Sequence, residues 1–294
     1  MNKFSGLKWS GALVGLSLAA GAAVGLQDAP KVWLTSDLIG MNVVSPEGDD
    51  LGEIEDVVVH PGGETAYAVL AFGGWLGMGE KLFAMPWSVL RSVERDTDKP
   101  DSKRSLVLPM DKAKLKQAPG FDKKNWPAMA NADWSRDIDT FYEGSSNPNT
   151  RKAINASARN SRITWKVSDL RGCSVETPTG EELGDIKELA IDTNGRVSYV
   201  ALDLDAFEGQ DDRMIAVPWD SFEFSLGGKD GDEKRVTLAS ARTQLQQAPL
   251  FMTGKEHTDE MSDPAWIARV HKHFSVKPYW TETRTSIGAV GSGD

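Results

Sequence analysis

Residues 81–87 read KLFAMPW and residues 213–219 read RMIAVPW, an apolar run that ends both times in Pro-Trp. Trp87 and Trp219 stand 132 residues apart, and the same step carries SDLIG (36–40) onto SDLRG (168–172), LGEI (51–54) onto LGDI (183–186) and Tyr67 onto Tyr199. Two residues are lost in the second copy before LKQAPGF (115–121) meets LQQAPLF (245–251), and the full step returns at Met129 with Met261 and Trp134 with Trp266. The chain is therefore a duplication, with equivalent units at 32–144 and 164–276. The polar stretch 145–163 between them reads as a linker, and 277–294 reads as a flexible tail because it offers little apolar surface to bury.

Within each unit, short apolar runs alternate with turn residues. PEGDD (46–50), PTGEE (178–182) and DTNG (192–195) are turns, the last placing Asn-Gly where a tight hairpin takes positive φ. In the third strand of the second copy, Val200, Leu202 and Leu204 alternate with Ala201, Asp203 and Asp205, which marks the aspartate face as wet. In the second strand Gly52 and Ile54 keep one phase while Val57 and Val59 take the other, and the second copy repeats the slip. A phase change at the same place twice predicts a bulge that curls the sheet. Short helices follow, with Asp111 and Ser240 as N-caps and Pro119 and Pro249 as stops. The stripes Trp134, Ile138, Phe141, Tyr142 and Trp266, Val270, Phe274 belong to second helices packed on the sheet. The fold class is thus mainly β, two small antiparallel barrels each followed by short helices. Gly40, Gly52, Pro86 and Trp87, with Gly172, Gly184, Pro218 and Trp219, are its structural markers, the proline ending a strand and the indole covering the open end.

The run DLIGMNVVSPEGDDLGEIEDVVVHPGGETAYAVLAFGGWLGMGEKLFAMPW (37–87) resembles the PRC-barrel family, known from the photosynthetic reaction-centre H subunit and from RimM-type ribosome maturation factors. The second unit keeps the opening elements and the Pro-Trp, but DAFEGQDDR (205–213) stands where the first has GGWLGMGEK (73–81). The resemblance implies six-stranded barrels used for macromolecular contacts, with no catalytic residues to carry over.

The remaining chemistry is sparse. A single cysteine, Cys173, excludes an internal disulfide, and its counterpart Met41 marks a packed apolar position. Of four histidines, His60 reads as an exposed turn residue, and His271 and His273 lie two apart on a helix and diverge, so no metal site is expected. The carboxylates of 49–56 and 203–212 read as solvated. No cofactor or catalytic constellation is expected. A net charge of −10 with no basic block argues against nucleic acid.

Residues 1–30 combine Lys3 and Lys8 with an uncharged stretch from Trp9 to Leu26 ending in small residues, the layout of an export signal cleaved after Ala22 or Gly25. The alternative is an inner-membrane anchor over 9–26. The expected product is an exported, periplasmic or secreted, non-catalytic adaptor with a protein partner. The alternatives are a membrane-tethered accessory subunit of a photosynthetic or electron-transfer complex and, further off, an RNA or ribosome factor. Trp75, Leu76 and Met78, apolar residues in a glycine-rich loop that turns acidic in the second copy, are the candidate partner contacts.

Overall fold

The computed structural model describes residues 29–73, 81–93, 104–143, 163–204, 214–227, 233–251 and 259–282. The first unit contains β1 (Val32–Leu34), α1 (Thr35–Leu38), β2 (Asn42–Val44), β3 (Asp50–Val59), β4 (Thr65–Phe72), β5 (Lys81–Pro86), β6 (Arg91–Val93) and β7 (Ser105–Val107), then α2 (Lys112–Leu115), β8 (Gly120–Phe121) and α3 (Ala132–Tyr142). The second repeats the order with β9 (Trp165–Lys166), α4 (Val167–Leu170), β10 (Ser174–Glu176), β11 (Glu182–Asp192), β12 (Val197–Leu204), β13 (Met214–Pro218), β14 (Phe222–Gly227) and β15 (Glu233–Leu238). It ends with α5 (Arg242–Leu245), β16 (Leu250–Phe251), α6 (Pro264–Phe274) and the additional α7 (Tyr279–Glu282).

The strands form two sheets, ordered β6-β7-β2-β3-β4-β5-β8 and β14-β15-β10-β11-β12-β13-β16. The mainly β class holds. Neither sheet is wholly antiparallel, because β2 pairs with β7, and β10 with β15, in parallel. No pairing among the described residues joins the two ends of either sheet. The phase slip is a bulge in both copies, between Ile54 and Asp56 and between Ile186 and Glu188. Upstream of it, Gly52 (φ +128°) and Gly184 (φ +149°) take a backbone conformation rare for L side chains. An added Cβ there would lie 2.0 Å from the carbonyl oxygen of Ala71 or Asp203, so both positions demand glycine.

The first strand of each unit belongs to the other unit's sheet. β1 pairs antiparallel with β11 (Trp33 opposite Ile191), and β9 pairs antiparallel with β3 (Trp165 opposite Val59). One cluster of buried side chains runs through both units, from Trp33, Val43 and Phe83 to Trp165, Val217 and Leu238. The helices α3 and α6 cover outer faces. Tyr67 meets Trp134 edge-on at 5.2 Å, as Tyr199 meets Trp266 at 4.9 Å.

This covering corrects the wet face predicted for the third strand. Val69 and Ala201 are fully buried, whereas Asp203 near the strand end reaches solvent and pairs with Lys187 at 3.5 Å. The predicted cap Ser240 is also corrected: Asp111 caps α2 by accepting from the Lys114 N–H at 2.7 Å, but α5 starts after Ala241, which has no side-chain cap. The two-residue deletion puts Ala241 opposite Asp111. The tail is ordered at its start, where Tyr279 donates to Asp192 Oδ2 at 2.5 Å and contacts Ser198 Oγ at 3.0 Å. Two aromatics, Tyr279 and Trp280, give this segment the surface that the sequence reading overlooked.

Candidate interaction site

The seam between the repeats is built on a local twofold relation. Glu64 and Arg196 are counterparts 132 residues apart and form a β-bridge with one another. On either side, Thr65 donates its N–H to the Gly195 carbonyl at 2.6 Å and Val197 donates to the Gly63 carbonyl at 2.8 Å. The Arg196 guanidinium binds Glu64 and Asp220, each at 2.8 Å, and lies 4.6 Å from the centroid of the Tyr279 ring.

Both Pro-Trp tryptophans point across this seam, each against a hairpin glycine of the other unit. A Cβ on Gly195 would fall 2.2 Å from Trp87 Cδ1, and one on Gly63 would fall 2.7 Å from Trp219 Cδ1. Trp219 also donates its indole N–H to Pro61 O at 2.9 Å and stacks on Phe224 with centroids 4.2 Å apart. The prolines do end strands: Pro86 pairs opposite Tyr67 and Pro218 opposite Tyr199, with a single 3-10 turn following each.

Two buried carboxylates complete the seam, also counterparts at the bulge. Asp56 accepts from the Ser168 hydroxyl at 2.5 Å and the Ser168 N–H at 3.2 Å. Glu188 accepts from the Thr35 hydroxyl and, at 3.3 Å, from the Ser36 N–H. Each thereby accepts from one first-turn N–H of the other unit's first helix, α4 or α1. Asp56 is 3 % exposed, against the expectation of a solvated side chain, and burial raises its pKa while the Ser168 and Val57 hydrogen bonds oppose the rise. Gly40 and Gly172 turn the chain out of the same two helices at φ +82° and +83°.

A family model of the PRC-barrel domain matches residues 33–110 and 165–245, more than half of the chain and once in each repeat. The chain belongs to the PRC-barrel domain family. No curated protein matches it. The matched stretches start at Trp33 and Trp165, so each PRC unit includes the strand that it lends to the other.

The histidines and the cysteine of the two PRC units lie in packed surroundings or on backbone partners. His60 is buried, not an exposed turn residue, and desolvation lowers its pKa. His271 faces Tyr199 Oη at 3.2 Å and Val276 O at 3.1 Å, while His273 turns to Gln244 O at 3.0 Å, so the pair diverges as the helical spacing requires. Cys173 packs against the core, and burial pushes its thiol pKa up, away from reactive thiolate character. Among the described residues no group of three or more His, Cys, Asp or Glu side chains is placed to hold a metal ion.

Trp75, Leu76 and Met78 lie outside the described residues, as do residues 1–28. No helix of the described residues is long and apolar enough to cross a membrane. What the PRC units do expose is a groove of about 280 Å³ where they meet, formed by Trp126 and Met129 of the first unit, Ile163 and Lys166 of the exchanged strand region, and Leu226 and Lys234 of the second sheet. Leu226 is 43 % exposed. Sequence reading missed this groove, although one signal pointed to it: Trp126 breaks the repeat, since GKEHTDE (254–260) has no tryptophan.

Proposed function

We propose that this tandem PRC protein is an exported, non-catalytic adaptor or structural component of the cell envelope, working through protein contacts made at the surface between its units. Both sheets curl at their bulges into PRC-type barrels in this reading. The observation that carries it is the division of labour among the side chains. The buried polar groups at the seam are spent on joining the repeats, whereas the Trp126–Leu226 groove presents apolar surface to solvent. An apolar patch that folding leaves open suits a partner better than a reaction.

Export rests on the Lys3, Lys8 and Trp9–Leu26 pattern, and the mass of the mature protein tests it: loss of the first 22 or 25 residues is expected, and an intact N-terminus would favour the tethered accessory subunit instead. The adaptor role is tested by a photo-crosslinking amino acid at position 226, with a second at 75 in the glycine loop. A specific envelope protein captured at either position supports the reading. Capture at neither, from cells in which the protein is folded, overturns it.

A further inference from the structure

The groove also carries the chemistry of its occupant. Its apolar wall is Trp126, Met129, Ile163 and Leu226, and its polar wall is Lys166 and Lys234. Lys166 Nζ lies 5.0 Å from the Trp126 ring centroid, and Lys234 Nζ lies 4.8 Å from that of Trp165, so indole faces hold both ammoniums in place. Both reach the same carboxylate, Asp169, at 2.9 and 3.3 Å. Asp169 does not line the groove, whose charged lining residues among those described are the two lysines, in a chain whose net charge is −10. Beside it, β14 pairs on one side only, with β15, and its outer edge faces no other strand among the described residues. An unpaired edge offers backbone hydrogen bonds to an extended chain.

We infer that this groove binds an extended segment of a partner protein, which sets an apolar side chain against Trp126 and Leu226 and an acidic residue beside Lys166 and Lys234. The inference rests on the adaptor reading and adds to it the sign and shape of the partner. Apolar contact supplies affinity, and the lysines select acidic over basic segments.

The test uses the full mature chain, 15N-labelled, titrated with a nonapeptide carrying a central Phe flanked by Asp residues and with its twin carrying Lys in place of Asp. The indole N–H signal of Trp126, assigned with Trp126→Phe, and the Leu226 amide are followed. Saturable shifts of both with the acidic peptide are expected, weaker by about fivefold or more with the lysine twin or on Lys234→Glu, and weakened as salt rises. Leu226→Asp, at an exposed position, is expected to abolish the shifts while the rest of the spectrum stays in place. Equal binding of the twins, or no response at millimolar peptide, overturns the inference. Concentration-dependent movement of the same signals without peptide also overturns it, by assigning the groove to a second copy. The adaptor reading fails separately, through the crosslinking at positions 226 and 75.

Discussion

Trp219 donates its indole N–H to the carbonyl oxygen of Pro61 across 158 residues of chain, at 2.9 Å. The bond fastens the second repeat's Pro-Trp turn to the first repeat's β3–β4 hairpin, and Trp87 packs on Gly195 in the reciprocal place. The indoles are therefore latches between repeats. Trp219→Phe keeps most of the ring packing and leaves the Pro61 oxygen without its donor, a cost of about 1 kcal/mol. Gly195→Ala drives a Cβ into Trp87 at a left-handed φ of +86° and is expected to cost about 1–3 kcal/mol. In thermal unfolding both variants should show one transition at lower temperature. Two resolved transitions in the unmodified protein would show that the latches do not couple the repeats.

Exchange of β1 and β9 has a physical consequence that a nicked chain exposes. A protease site inserted near residue 152, cut after folding, should leave two fragments that co-elute as a 1:1 complex without denaturant, because each completes the other's sheet. Fragments that separate while still folded would contradict the exchange.

Asp56 gives the seam a pH signature. Burial holds its folded pKa above the 3.8 of an exposed aspartate, so between 3.8 and the folded value the native state binds more protons than the unfolded chain. By linkage, this group adds stability as pH falls through that window and removes it as pH rises. Asp56→Asn eliminates the contribution. The difference in urea midpoint between wild type and Asp56→Asn should therefore shift in favour of the wild type on acidification from pH 7 to 4. Asp56→Ala also strips the Ser168 hydroxyl and N–H of their acceptor and should cost about 1–3 kcal/mol at neutral pH.

One hydroxyl of α7 bonds a buried carboxylate. Tyr279→Phe removes the donor to Asp192 Oδ2 and the contact to Ser198, and should free residues 276–282 to exchange their amide hydrogens faster. Truncation after Val276 removes the Trp280 ring that meets His271 edge-on at 5.7 Å. The buried His271, whose pKa desolvation now depresses, should then titrate closer to 6.5 when followed by NMR. An unchanged titration would show that the tail does not shield it.

The repeat, the positions of the strands, the bulge and the covering helices were legible in local spacing: the 132-residue step, the phase slip after Ile54 and Ile186, and the stripes from Trp134 and Trp266. Which unit each first strand joins was not legible. VWL (32–34) and TWK (164–166) are equivalent segments, and the strands they pair with, β11 and β3, are equivalent too, so local spacing does not distinguish the two partners. Long-range packing sets that choice, and with it come the burial of Asp56 and His60, the turn of both indoles across the seam and the groove beside Trp126. Burial is a property of what lies opposite a residue, and in a duplicated chain two identical answers compete for that place.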